Sequence, residues 1–195
     1  MRLSLALLLN LSLVGALVAV GVNAHSLGVM AAGADYLADA AGIGIAMLAF
    51  PLSHRFPRVH SIAALVNGGW LLVLSALVAA VALARLISGT STVHGLPVLI
   101  VSSIAMLVMI IVALILKVDL DEASGDVHEN LSSRAVLLDT LADAASAGGV
   151  AIAGVIILAA HGFYWLDPAV ALLISALIGF HAFRLLSDVR VALRQ

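Results

Sequence analysis

The most informative absence in this chain of 195 residues is cysteine, of which there is none. Without thiols the protein forms no disulfide, holds no iron–sulfur cluster and offers no thiolate to a metal. Charged residues are also scarce, at 10% of the chain, whereas 64% of the residues are hydrophobic. This balance excludes a soluble globular domain and indicates an integral membrane protein. The net charge of −2 gives no sign of a nucleic-acid partner.

Long apolar runs account for most of the chain, and each is long enough to span a bilayer as a helix of about 20 residues. Six such stretches predict an all-α bundle of six transmembrane helices, at 3–23, 28–51, 61–87, 96–118, 132–160 and 167–187. The first stretch also resembles a signal peptide, with Arg2 before a leucine-rich core. Its apolar run exceeds the usual 7–15 residues of such peptides, so we favour a retained first helix.

Basic residues predict the orientation of the bundle in the membrane. Only Arg85 falls at one set of helix ends, and eight basic residues fall at the other: Arg2, Arg55, Arg58, Lys117, Arg134, Arg184, Arg190 and Arg194. The positive-inside rule then places both termini in the cytoplasm. We expect one transmembrane domain over residues 1–195, in the lipid of the cell membrane, with no soluble C-terminal domain.

A repeated heptapeptide carries most of the chemistry. The pattern D-x-L-A-D-A-A occurs once from Asp35 to Asp39 onwards and again from Asp139 to Asp143 onwards, each time inside an apolar run. On a helix, residues i and i+4 share a face, so each copy presents two carboxylates together. A carboxylate in the middle of a membrane helix costs about 2.5–3.5 kcal/mol, so four of them point to a buried cation site. The two copies lie on antiparallel spans, as in an inverted repeat with its site between the halves.

These pairs resemble the paired H/D-x-x-x-D motifs of the cation diffusion facilitators. Further segments similar to that family occur in the same order along the chain: Asn10, His25-Ser26-Leu27, Ala63-Ala64-Leu65-Val66-Asn67, Asn130-Leu131-Ser132-Ser133-Arg134-Ala135 and Tyr164-Trp165-Leu166-Asp167-Pro168. The resemblance implies a six-helix, proton-coupled exporter of divalent metals such as zinc. It also implies a homodimer, which here would rest on the membrane helices because the cytoplasmic metal-binding domain usual in the family has no counterpart.

The ligand set leaves the metal open. The four predicted ligands are all carboxylates, whereas zinc members of the family typically have histidine where Asp139 stands and often where Asp35 stands. Zinc accepts four oxygen ligands, but an all-oxygen site also suits manganese, magnesium or calcium. We rank zinc first and manganese or iron(II) next, with cadmium as a further candidate. Crowded carboxylates in a low-dielectric site favour bound protons, which a divalent metal displaces, and such an exchange is an antiport.

Histidines at the ends of the spans are candidates for a secondary metal site, namely His54, His60 and His128. We interpret His181, within the last span, as a packed or interfacial residue. Asp167 before Pro168 predicts the start of the last helix, with the aspartate as its N-cap. Glycines and alanines beside each carboxylate pair allow the helices to approach closely.

Two alternatives to a metal exporter remain. One is an exchanger that drives another ion with the same carboxylates. A membrane protein that binds metal without transporting it, as a sensor or assembly factor, would use the same carboxylates. An enzyme is not expected, because the sequence has no nucleophile–base pair and no glycine-rich phosphate loop.

Overall fold

Six α-helices follow the six predicted apolar stretches. The computed structural model describes residues 2–53, 59–89, 92–122 and 127–192. Within these ranges the helices are α1 (Arg2–Ala24), α2 (Leu27–Ser53), α3 (Val59–Ser88), α4 (Gly95–Glu122), α5 (Val127–Ala160) and α6 (Leu166–Ala192). The predicted all-α class is therefore confirmed. Several helices run up to five residues beyond the prediction, because the apolar run ends before the helix does and charged residues continue it.

The helix ends follow the local chemistry of proline and of left-handed backbone. Pro97 and Pro168 each occupy the third position of a helix, where a missing N–H costs no internal hydrogen bond. The first helix ends at Ala24, and the next residue, His25, has a φ of 56°, the left-handed conformation common just after a helix C-terminus. Gly89, with a φ of 96°, follows α3 in the same way.

Four helices in the described residues are long and apolar enough to cross a membrane, namely at Ala64–Ser88, Gly95–Ile115, Leu137–Ala160 and Leu166–Ser187. Large apolar side chains on the outside of the bundle are exposed, including Val73 at 62% and Phe183 at 66%. A soluble monomer rarely leaves so much apolar surface in water, whereas lipid accommodates it. The chain is a multi-pass membrane protein.

The helices pack most extensively in three pairs, α1 with α2, α4 with α5, and α3 with α6. Buried side chains between the pairs form the core, of which the largest are Leu17, Val29, Tyr36, Val98 and Ile174. We call the end of the bundle with the α1–α2 and α5–α6 connections the outer end. The opposite end, where the chain begins and finishes, is the inner end.

Asp167 caps a helix other than its own. Its carboxylate accepts hydrogen bonds from the backbone N–H groups of Leu27 at 2.6 Å and Gly28 at 3.1 Å, the first two residues of α2. The Ser26 hydroxyl also donates to it, at 2.5 Å. The predicted start of α6 is confirmed to within a residue, but the prediction that Asp167 caps α6 is wrong. The first N–H groups of a helix have no partner within it, and folding brings those of α2 next to the Asp167 carboxylate although they are far away in sequence.

Candidate functional site

All four aspartates of the heptapeptides line one cavity. The cavity has a volume of about 700 Å³ and lies among α2, α3, α5 and α6. Its polar lining consists of Asp35, Asp39, Asn67, Asp139, Asp143, Ser146, His181 and Arg184. We call it the carboxylate cavity. The helical spacing of each pair explains this arrangement, since residues four apart stand one above the other on the face turned inward.

Asp143 of α5 lies close to both aspartates of α2. It lies within hydrogen-bonding reach of Asp35 and within electrostatic range of Asp35, Asp39 and Asp139. Asp35, Asp39 and Asp143 are partly buried, and Asp139 is exposed. The pair on α2 and the pair on α5 therefore face each other across the cavity.

The predicted metal coordination itself is a separate question. In the part of the chain that the structure describes, no three of the aspartate, glutamate and histidine side chains are grouped so that they could hold one metal ion. The four-aspartate metal site therefore stays a prediction, and what the geometry adds is a common cavity.

Four polar residues of the cavity wall were not predicted as site residues, namely Asn67, Ser146, His181 and Arg184. His181 and Arg184 both reach it from α6, so the interpretation of His181 as a packed or interfacial residue is incomplete. Asn67 of α3 lines it as well, and its Oδ1 atom is buried with no hydrogen-bond partner among the described residues. The Asn67 side chain lies against Gly42, where an added Cβ would stand 3.3 Å from Nδ2. An imidazole, a guanidinium and an amide thus join the four carboxylates.

Tyr36 adds a further polar group close to this cluster. The side chain is 2% exposed, and its hydroxyl has no hydrogen-bond partner within the described ranges. The phenol lies within electrostatic range of Asp143, Asp35 and Asp39. A buried hydroxyl without a partner costs about 1–3 kcal/mol, so Tyr36 places an unsatisfied polar group beside three carboxylates.

The side chains of the secondary histidine candidates lie outside the described part of the structure. His54 falls in the segment between α2 and α3, which the structure does not describe. His60 and His128 lie in the first turns of α3 and α5, but the described part excludes their side chains. A metal site at these three histidines therefore stays a prediction.

A bundle of membrane helices around a cavity lined by acidic side chains is the architecture of a membrane protein that handles cations. Comparison with known families identifies the particular group. A family model described as the cation efflux transmembrane domain matches residues 3–193. The chain belongs to this family, which confirms the resemblance to the cation diffusion facilitators.

Individual relatives are transporters by name. The zinc transporter ZitB of Yersinia pseudotuberculosis is 32% identical over 172 residues, which cover 84% of this chain and 53% of the relative. A cadmium, cobalt and zinc/H(+)-K(+) antiporter of Bacillus subtilis is 25% identical over 167 residues, covering 81% of this chain and 51% of the relative. A zinc transporter ZitB of Pectobacterium atrosepticum is 28% identical over 198 residues, covering 96% and 59%. The chain thus spans a little over half the length of these relatives.

Proposed function

We propose that this protein exports divalent metal cations through the carboxylate cavity in exchange for protons. The observation that carries the proposal is that Asp35 and Asp39 of α2 and Asp139 and Asp143 of α5 line one cavity between membrane helices. Four carboxylates are a donor set for a divalent cation, and in a membrane they are too costly to be retained without such a role. The transporting unit in this proposal is the six-helix bundle as a single membrane domain.

Zinc is the first candidate among the metals. Two of the relatives are named zinc transporters, and the Bacillus subtilis relative is named for cadmium, cobalt and zinc. The all-carboxylate set also suits harder cations, so manganese and iron(II) follow. His181 is a source of an imidazole ligand, because it lines the same cavity from α6. Imidazole favours zinc over manganese, which supports the ranking.

Proton exchange follows from the chemistry of crowded carboxylates. Like charges in a low-dielectric site are relieved either by bound protons or by a bound cation. Metal entering from the inner side would release protons, and protons entering from the outer side would release metal. The Bacillus subtilis relative is named for both H(+) and K(+), so potassium is the counter-ion against which protons must be tested.

The test is metal flux in sealed proteoliposomes under an imposed pH gradient, with and without a potassium gradient. Zinc, manganese, iron(II), cadmium and cobalt are compared in the wild type and in Asp39→Asn and Asp143→Asn. These variants keep the shape of the side chain and remove its charge. Ser146→Ala, which changes another residue of the cavity wall without changing charge, is the matched control.

We expect zinc flux driven by the pH gradient in the wild type and in Ser146→Ala. Flux should fall at least tenfold in both aspartate variants, since each loses a ligand of the cation. Metal binding without flux in folded wild-type protein would contradict transport and favour a sensor. Flux driven only by potassium would overturn the proton part of the proposal. Cross-linking in lipid, read as a dimer band, tests the proposed homodimer through the membrane helices.

A further inference from the structure

Asp167 is a buried acidic residue that the transport chemistry does not use. It is 2% exposed and lies outside the lining of the carboxylate cavity. Its carboxylate accepts three hydrogen bonds from residues 26–28, so the start of α6 is joined to the start of α2. The N-terminus of a helix favours negative charge, and hydrogen bonds to a carboxylate are stronger than neutral ones. This is a strong polar contact between two helices that line the cavity.

A third helix of the cavity meets the same point. A Cβ atom on Gly28 would stand 3.2 Å from the Asp167 Oδ1 atom and 3.4 Å from the Cγ1 atom of Val150 on α5. Val150 lies seven residues, or about two turns, beyond Asp143. The helices α2, α5 and α6 therefore converge at the outer end, and they separate around the cavity only below that contact.

The end of α3 is tied to the same place. Arg85, in the last turn of α3, donates a hydrogen bond from Nη1 to the backbone carbonyl of His25 at 2.8 Å. Its guanidinium also lies within electrostatic range of the Asp167 carboxylate. The α3–α6 pair thus holds the α1–α2 connection at two points, one through Asp167 and one through Arg85.

The inward face of α6 is packed near Asp167 and lines the cavity further along the helix. Ala171 and Ile174, within two turns of Asp167, are 0% and 2% exposed. Further towards the inner end His181 and Arg184 line the cavity and are exposed. The residues between Asp167 and the cavity on this face are therefore packed against other helices, and the polar contact lies at the outer end of this packed part.

We propose that Asp167, Ser26 and Arg85 form a latch that holds the outer end of the carboxylate cavity closed and opens to let the cation leave. The inference rests on the proposed export function. Its chemistry suits reversible opening, because a carboxylate and helix N–H groups that part at the membrane surface can each be solvated by water. An apolar contact of the same area would have no such compensation.

Thiol labelling tests the latch directly, because the chain has no cysteine of its own. The reporter is Ala171→Cys, at a buried position four residues after Asp167 and on the same face of α6. The full chain in lipid is treated from the outer side with a membrane-impermeant maleimide, and the rate of labelling is compared with and without Asp167→Asn. The second reporter is Ala105→Cys, a residue of α4 that is equally buried but is not part of the latch.

We expect Asp167→Asn to raise the labelling rate at position 171 about tenfold, a change that corresponds to about 1.4 kcal/mol. The rate at position 105 should stay the same. A milder variant, Ser26→Ala, should give a smaller increase at position 171 and covers the case in which Asp167→Asn does not fold. Its matched control is Ser175→Ala. Ser175 is a buried serine whose hydroxyl donates a hydrogen bond to the Leu172 carbonyl oxygen of the same helix.

Equal increases at both reporter positions would mean general loosening and would overturn the latch, as would no increase at either. The assay needs no metal and no flux, so its outcome is separate from that of the transport assay. If Asp167→Asn leaves the labelling rate at position 171 unchanged and the wild type transports zinc, the latch alone is refuted. If Asp167→Asn raises that rate as expected and the wild type shows no zinc flux, the export function is refuted.

Discussion

Replacing Gly154 by alanine should force α4 and α5 apart. An added Cβ atom would stand 2.9 Å from the Leu99 nitrogen, 3.1 Å from Cγ1 of Val98 and 3.2 Å from the Gly95 carbonyl oxygen. Carbon atoms pack at about 3.5–4.0 Å, so the helices must separate by roughly half an ångström or more. Two of these three contacts are to backbone atoms, which cannot turn away as the end of a side chain can.

The magnitude follows from two opposing effects. Overpacking costs about 1–3 kcal/mol, while alanine in a helix is favoured over glycine by up to about 1 kcal/mol. The net loss is therefore up to about 2 kcal/mol, and at about 2–4 °C per kcal/mol the Tm should fall by up to roughly 8 °C. Gly15 is the matched control, because a Cβ there would meet nothing within 4 Å. Gly15→Ala should leave the Tm unchanged or raise it by a few degrees.

The assay is thermal unfolding in detergent, followed by circular dichroism, on the two alanine variants and the wild type. Gly95→Ala is a second probe of the same contact, since its Cβ would stand 2.8 Å from the Gly154 carbonyl oxygen. A Tm for Gly154→Ala equal to or above that of Gly15→Ala would refute the reasoning, because the contact would then cost nothing to crowd.

Two further predictions concern buried hydroxyl groups. Tyr36→Phe should leave the Tm the same or raise it by a few degrees, because no described residue bonds the hydroxyl. The same change should raise the KM for zinc in the flux assay several-fold, and an unchanged KM would exclude Tyr36 from the site. Ser102→Ala removes a buried hydroxyl of α4 that has no partner in the described ranges, so the Tm should stay the same or rise by about 2–4 °C. A fall of several degrees would show that the hydroxyl has a partner.

Regular helical spacing is what made the cavity predictable. The two carboxylate pairs repeat one pattern at i and i+4, so their common face could be inferred from the residues between Asp35 and Asp39 and between Asp139 and Asp143 alone. That α2 and α5 turn these faces to the same cavity followed from their opposite directions. The six helices could equally be predicted from the sequence, because apolar runs of this length have few alternatives to a membrane helix.

The partners of isolated polar residues were harder to infer. Asp167 has a local signature for capping α6, and only the tertiary structure brings it to the N-terminus of α2. For His181, the distance from the outer end of its helix does indicate that it lies near the carboxylates. It lies 15 residues, or about 22 Å, from the outer end of α6, while Asp143 lies 17 residues, or about 25 Å, from the outer end of α5. Because these two distances are similar, His181 and Asp143 lie at a similar level of the bundle.

Glycine was an uneven guide to close contact between helices. Beside the carboxylate pairs, an added Cβ on Gly33, Gly42 or Gly148 would stand 3.2–3.3 Å from an atom of another helix, whereas one on Gly44 would meet nothing within 4 Å. Among the glycines of the described residues, the shortest distance from an added Cβ to a backbone atom is at Gly95, 2.8 Å from the Gly154 carbonyl oxygen. Which glycine is crowded depends on where two helices cross, and the sequence around each glycine does not contain that information.

The connection between α1 and α2 consists of only His25 and Ser26. Close packing continues below it, since a Cβ on Gly21 would stand 2.7 Å from Cγ of Met30. Because the connection is so short and the packing so close, α2 cannot tilt unless α1 tilts with it. For the proposed transport we therefore expect the α1–α2 hairpin, which bears Asp35 and Asp39, to move as one body relative to the tightly packed α4–α5 pair, which bears Asp139 and Asp143. The separation of Asp35 from Asp143 is the distance that such a movement would change.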